Sequence, residues 1–342
     1  MSEPGGNVAQ WGRWAPTGAA CGDGWRRRER VTMGYHGDRQ GTNPAAEGSA
    51  VEAPGPGAGG TQAAGGEPVE WVAVVATKPS GQALARQLVP WLDRRGVRVV
   101  DLSAAEGPPR PPGRWPRGRG LGLSLGGDGT LLRAARLVPA EVPLLGVNLG
   151  RVGFLTELGP AEVWDVLPDV LRGRFVLDER RVLEGMVDGE ALWAVNDLVV
   201  RSGATARLLR LRVRVDDQLA AEVAGDGIVV ATATGSTAYA LAAGGPAVPP
   251  DLECLVVVPL SAFTLAVRPF LLAPQRHVAV ELLDGEAAVT ADGQETRPLS
   301  AGGVLRAGLG RRRLRLVRRH PWPFYEVMRA KLFTPPEGGG RR

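Results

Sequence analysis

The sequence predicts an α/β domain, built on a parallel sheet with flanking helices, followed by an all-β domain. Three observations lead there. From Trp71 to Val147, apolar runs alternate with helix-like runs, the rhythm of parallel strands joined by helical crossovers. After a helix at about 161–172 that rhythm gives way to strand candidates with few helices between them, the pattern of an all-β unit. Between the two patterns stands Gly126-Gly-Asp-Gly-Thr130, a glycine loop set between a strand and a helix. A chain of 342 residues is long enough for two domains with cores of their own.

Residues 1–68 are rich in Gly, Ala, Pro and polar side chains and read as a disordered tail. Trp11, Trp14 and Trp25 within it have no explanation. The α/β domain covers 69–160. Trp71–Thr77 is a buried-type strand, and Ser80 is placed to cap a helix carrying Leu84, Leu88 and Leu92, which Gly96 ends. Val97–Leu102 is the second strand, and a Pro/Gly/Arg loop at 107–119 leads to the third, Leu121–Leu125. The glycine loop and a helix over Leu131–Leu137 follow, and Pro143–Val147 is the fourth strand.

The β-rich domain covers 161–319. Leu209, Leu211, Val213 and Val215 alternate with Arg210, Arg212 and Arg214, so that strand has one buried face. Asp216-Asp217 makes the turn after it. Further strands are expected at 191–200, 227–232, 253–259, 277–283 and 304–317. The basic run Arg311–Arg319 shares the period of two and is read as a solvated strand face, not a nucleic-acid surface. A last helix, Phe324–Leu332, puts Phe324, Val327, Met328 and Leu332 on one side, and 335–342 is a flexible tail.

Composition excludes several classes. No run of 18 apolar residues suggests a membrane span, and no charged-then-apolar leader suggests secretion, so a cytoplasmic protein is expected. Cys21 and Cys254 are the only cysteines and the three histidines are scattered, so no metal site is expected. The basic side chains are almost all Arg; Lys78 and Lys331 are the only lysines.

The chemistry concentrates at the glycine loop. A strand, a glycine loop and a helix in that order present backbone N–H groups at a helix N-terminus, where they hold phosphate. Gly127 and Gly129 let a ligand approach the backbone closely. An acid beside phosphates is unfavourable unless it binds a metal or takes a proton, so Asp128 is either a proton acceptor or a loop-capping aspartate. Thr130 either caps the helix or touches phosphate. Downstream lie Gly146-Val-Asn-Leu-Gly-Arg-Val-Gly-Phe-Leu155, Asn196-Asp197, Gly225-Asp-Gly227 with Thr234-Gly-Ser-Thr-Ala-Tyr239, Ala242–Pro246 and Asp292-Gly-Gln294.

This order and spacing resemble the NAD kinase family, from about Trp71 to Leu332. The GGDGT loop alone is shared with lipid kinases; the GDG…TGSTAY segment is much more specific. The resemblance implies the NAD kinase/diacylglycerol kinase-like two-domain fold, with segment 320–334 returning to the first domain. It implies phosphoryl transfer from ATP to the adenosine-ribose 2′-hydroxyl of NAD, with Asp128 as proton acceptor, a divalent cation such as Mg²⁺, and a homodimer or homotetramer. It assigns ligand contacts to Asn196, Asp197, Asp226, Thr234, Ser236, Thr237, Ala238 and Tyr239. Asp197 stands where Glu is usual, Ala233 where Pro is usual, and Phe263 where His is usual, so a polar contact near the substrate is in doubt. Arg207 is either a phosphate contact or an exposed strand arginine, and Gln294 either a ligand contact or part of an Asp-Gly hairpin turn. Two other readings stand beside it: a lipid kinase of the diacylglycerol or sphingosine type, and a catalytically silent dinucleotide-binding regulator. Neither a nucleic-acid nor a membrane partner is expected.

Overall fold

The computed structural model describes residues 62–103, 111–150, 153–203, 208–263 and 267–333. Strand β1 is Gln62–Gly65 and β2 is Trp71–Ala76. Helix α1 is Pro79–Asp93, followed by β3, Arg98–Asp101, and β4, Gly120–Leu125. Helix α2 is Asp128–Leu137, β5 is Leu144–Val147 and α3 is Val163–Leu171. Strands β3, β2, β4 and β5 pair in parallel in that order. Leu84, Leu88 and Leu92 of α1 and Val163, Leu167 and Val170 of α3 pack on one face of this sheet. Leu131 and Leu132 of α2 pack on the other, against Trp71 and Val75.

The β-rich part begins with β6, Arg174–Val187, β7, Glu190–Ala194, and β8, Asp197–Ser202. It continues with β9, Leu209–Val215, β10, Gln218–Gly225, and β11, Gly227–Thr232. A 3-10 turn, Thr234–Thr237, and α4, Tyr239–Ala242, follow. The remaining strands are β12, Leu255–Leu260, β13, Phe270–Leu272, β14, His277–Leu282, β15, Glu286–Ala291, β16, Glu295–Ser300, and β17, Val304–Arg318. Helix α5 is Phe324–Met328, and a π-turn spans Arg329–Phe333. Two sheets face each other. One contains β10-β9-β14-β17 with β6 and β7, the other runs β13-β12-β11-β8-β15-β16. Leu211, Val213, Val280 and Leu305 of the first meet Leu198, Val200, Val230 and Val289 of the second.

The sequence reading separates two domains; the structure joins their sheets through one strand. β17 pairs antiparallel with β6 and β14, and at Leu316 it also pairs in parallel with Leu144 of β5. Its 15 residues are long enough to serve both parts. All described residues accordingly lie in one compact unit.

Several expectations need correction. Ser80 does not cap α1. The helix starts at Pro79 with Lys78 before it and no side-chain cap, because proline's fixed φ and missing N–H suit the first helical position. β6 was not expected: Asp178-Glu-Arg-Arg181 interrupts its apolar alternation. The expected strand 191–200 is two strands in different sheets, broken at Val195-Asn196. Gln62–Gly65, inside the expected tail, pairs with β6. Trp11, Trp14 and Trp25 lie outside the described residues.

The basic run is not a solvated face throughout, for Arg318 is fully buried. Its guanidinium donates to the Leu155 carbonyl, Glu157 and Asp178 at 3.1–3.2 Å and lies 3.9 Å from the Trp322 ring centroid. Ion pairs on the buried side make its desolvation tolerable.

Candidate functional site

Strands β4 and β5 end at the same edge of the parallel sheet, where ligands of such folds collect. β4 delivers Gly126-Gly127 and α2 starts at Asp128, with no side chain capping its first turn. A side chain at Gly126 would collide with Thr130. Space beside Gly127 and Gly129 is open, so a phosphate can approach the backbone there. Thr130 is buried, and its hydroxyl lies 3.3 Å from that of Thr77.

The Asp128 carboxylate is gripped by the loop after β5. Its Oδ1 accepts the N–H groups of Leu155 and Thr156 at 3.1 and 3.3 Å and the Thr156 hydroxyl at 3.4 Å. Its Oδ2 accepts the Phe154 N–H alone, at 2.8 Å. A side chain at Gly153 would strike this carboxylate, which explains the glycine there. The loop-capping reading of Asp128 is met by these bonds. It caps a loop, yet a carboxylate has about four acceptor sites and Oδ2 keeps one to spare.

The second half of the site is the break between β7 and β8. There the Asp292 carboxylate accepts N–H from Val195 at 2.9 Å, from Asn196 at 2.7 Å and from Asp197 at 3.4 Å. A side chain replaces a neighbouring strand, so the chain can turn and present Asn196 and Asp197. Asp292 and Gly293 both have positive φ, 52° and 65°, as a tight hairpin turn requires. The expected Asp-Gly turn is thus the device that aims this carboxylate inward.

Arg136 of α2 balances the charge. It bonds Asp292 at 3.2 Å and Glu295 at 2.9 Å, donates to the Trp193 carbonyl at 2.8 Å, and stacks 4.6 Å from the Trp193 ring centroid. Gln294 Nε2 reaches the Gly129 carbonyl at 3.4 Å, tying the hairpin to the glycine loop, while its buried Oε1 has no protein partner.

Asp197 is 5% exposed, and no donor reaches its carboxylate among the described residues. Burial pushes its pKa up to about 7, and the nearby Asp292 charge adds to the rise. Burial also raises the Asp292 pKa, opposed by its three backbone donors and Arg136. A carboxylate that is buried and has no donor is fit to receive ligand hydroxyls.

The TGSTAY turn packs on this break. Thr232 Oγ1 donates to the Val195 carbonyl at 2.7 Å, and a side chain at Gly235 would strike the Asn196 backbone. Thr234 is buried, Thr237 Oγ1 donates to the Thr234 carbonyl, Ala238 follows, and Tyr239 is 46% exposed at the start of α4.

Two expected contacts are not gathered here. The Ser236 hydroxyl is fully buried and exchanges hydrogen bonds with the Val248 backbone at 2.9 and 3.2 Å, which leaves it to hold the turn. Asp226 is exposed at the far end of β11, roughly 20 Å of strand away from Thr234. Phe263 lies at that same end, 80% exposed. Arg207 lies outside the described residues. Residues that sequence reasoning missed are Arg136, the carboxylate role of Asp292 and the Gly153–Thr156 grip. Only the last carried a signal, in the quoted Gly153-Phe-Leu155.

Comparisons with known proteins bear on the family and the fold. Residues 120–175 match the ATP-NAD kinase N-terminal domain and 195–319 match the ATP-NAD kinase C-terminal domain. The NAD kinase of Moorella thermoacetica is 40% identical over 278 residues, 78% of this chain and 88% of that protein. The NAD kinase of Symbiobacterium thermophilum is 39% identical over 269 residues, 75% of this chain and 95% of that one. Among solved structures, an Archaeoglobus fulgidus NAD kinase in complex with ATP superposes with a TM-score of 0.60 at 25% identity, over 75% of this chain and 98% of its own. Yeast NADH kinase complexed with NADH gives 0.69 at 22% identity, over 81% and 91%, a likeness of fold.

Proposed function

This chain belongs to the NAD kinase family, and on that footing we propose that Asp128 takes the proton of the adenosine-ribose 2′-hydroxyl of NAD during phosphoryl transfer. The chain is an enzyme, an ATP-dependent phosphotransferase that converts NAD to NADP. A lipid-kinase reading is not favoured, since it leaves the TGSTAY turn and its packing on Asn196 unexplained.

One observation carries the residue assignment. Helix α2 holds Asp128 at its start and, about 12 Å along its axis, grips through Arg136 the Asp292 carboxylate that shapes the Asn196-Asp197 turn. The proton acceptor and the dinucleotide turn are thus fixed to one rigid element. In this reading the Asp197 carboxylate and the Asn196 amide receive the ribose hydroxyls and adenine edge. Tyr239 offers a stacking face, and Gln294 Oε1 finds its missing partner in the ligand. The donor phosphates lie over the open backbone of Gly127 and Gly129 at the α2 N-terminus. Asp128 Oδ2, the less occupied oxygen, faces the hydroxyl; the grip on Oδ1 fixes its direction. In-line positioning and a ready base are what a weakly nucleophilic hydroxyl needs.

Among the described residues no three His, Cys, Asp or Glu side chains come together to hold a metal. In this reading a divalent cation arrives on the donor's phosphates as part of the substrate. No described helix is long and apolar enough to cross a membrane. A cytoplasmic location and a homodimer or homotetramer belong to this reading and rest on the resemblance. The test is incubation of the pure protein with NAD, ATP and Mg²⁺. NADP should accumulate with ADP in equal amounts, and none should form when NAD is replaced by diacylglycerol.

A further inference from the structure

Lys331 is the cation that the C-terminal segment sets above the Asp128 assembly. Of 41 lysine and arginine residues in the chain, only Lys78 and Lys331 are lysines. A chain that otherwise uses arginine keeps a compact, flexible ammonium at this position. Lys331 lies in the π-turn after α5 and is exposed to solvent as a residue. Its head turns inward: Nζ is 4.2 Å from the centroid of the Phe154 ring. The N–H of that same Phe154 is the donor to Asp128 Oδ2. The ring also packs on buried Phe324, 6.4 Å between centroids, so α5 carries the lysine into place.

Lys331 and Asp128 act on each other electrostatically. Half-burial pulls the lysine pKa down, and the Asp128 charge opposes that pull. Yet among the described residues no carboxylate comes within 4.0 Å of Nζ. The two charges feel each other without an ion pair, so the ammonium keeps its donors for an incoming anion.

We infer that Lys331 is a catalytic residue whose ammonium binds the γ-phosphoryl oxygens of ATP in the transition state. The inference rests on the phosphotransfer reading above. The 2′-oxygen of NAD forms a bond to the γ-phosphorus, and the bond from that phosphorus to its bridging oxygen breaks. ADP leaves with the electron pair, and the hydroxyl proton passes to Asp128 Oδ2. Negative charge spread over the transferring oxygens sits beside a carboxylate, which repels it, and an ammonium at this place offsets that repulsion.

The experiment is steady-state kinetics of the full chain carrying Lys331→Met or Lys331→Arg, with ATP and NAD varied in turn. Lys331→Met keeps the apolar stem on Phe154 and removes the charge. Its kcat should fall about 10²- to 10³-fold, the usual effect of losing one transition-state donor. Its Tm should move by less than about 2 °C and its KM for NAD by less than about threefold. Lys331→Arg should recover at least about tenfold of the lost kcat. A Lys331→Met enzyme within about threefold of the parent kcat, or an arginine variant as slow as the methionine one, would overturn the inference. If the parent chain itself forms no NADP, the phosphotransfer reading falls first, and that result is distinct from either of these.

Discussion

Asp197 shows how much one buried side chain says about chemistry and stability together. Its pKa is raised from 3.8 to about 7, so the folded protein holds a proton there that the unfolded chain releases earlier. The stability this contributes is full below about pH 4 and is lost as pH rises to about 7. Tm should therefore decline between about pH 5 and pH 8, and Asp197→Asn should remove much of that decline. In the proposed role ligand binding runs the other way, because the ionised carboxylate accepts hydroxyls more strongly than the neutral acid. Apparent NAD affinity should improve as pH rises through about 7. Asp197→Ala and Tyr239→Ala should each weaken NAD use by about 5- to 150-fold, with the ATP constant moving much less. Equal losses toward both substrates would mean that these side chains support the closed site and not NAD itself. The sequence made Asp197 a candidate by its place beside Asn196. It did not show that the carboxylate is buried without a donor, because that depends on β8, β15 and the Asp292 turn converging.

At the scale of elements, α2 and the β15–β16 hairpin form one clamp. Arg136 is 12% exposed in its side chain and Asp292 is wholly buried. Removing Asp292 leaves three backbone N–H groups without their acceptor and Arg136 with Glu295 as its remaining carboxylate partner. Asp292→Ala should cost roughly 3–5 kcal/mol of unfolding free energy, read by denaturant titration. Arg136→Met leaves the aspartate buried and uncompensated; it should destabilise as well and raise KM for NAD, though Arg136 touches no substrate. A variant at either position with unchanged stability and unchanged KM would show that the Asn196-Asp197 turn is held by other contacts. Strand β9, whose apolar residues alternate, and the apolar runs of β11 and β14 were legible within a residue or so. β6 was not, because its central charges are held by ion pairs: Asp178 bonds both Arg180 of its own strand and the distant Arg318. Nor was the break at Val195, which a carboxylate nearly a hundred residues away imposes.

For the whole molecule, the two-part plan was legible and its join was not. Alternating strands and helices, then strands alone, are local patterns. That β17 belongs to both parts is a matter of which strands it meets, and its sequence shows only that it is long. Residues 1–60 have the composition of a disordered tail. A chain lacking them should therefore keep the parent Tm within about 2 °C and the parent turnover. One beginning at Glu67 also loses β1 and bares the β6 edge, so its solubility should fall. Loss of activity in the shorter deletion would show that the N-terminal residues contribute to the site.

The proton-acceptor role of Asp128 is the claim on which the mechanism turns, and Asp128→Asn tests it most directly. Oδ1 of the amide can go on accepting from Leu155 and Thr156, while the Phe154 N–H loses its acceptor, so Tm is measured alongside. NAD affinity by direct titration and turnover with ATP are then compared with the parent. Turnover should fall about 10²- to 10⁴-fold, with the dissociation constant for NAD within about threefold and the fold intact. Near-parental turnover in that variant would contradict the assignment and reduce Asp128 to the cap of the Gly153–Thr156 loop.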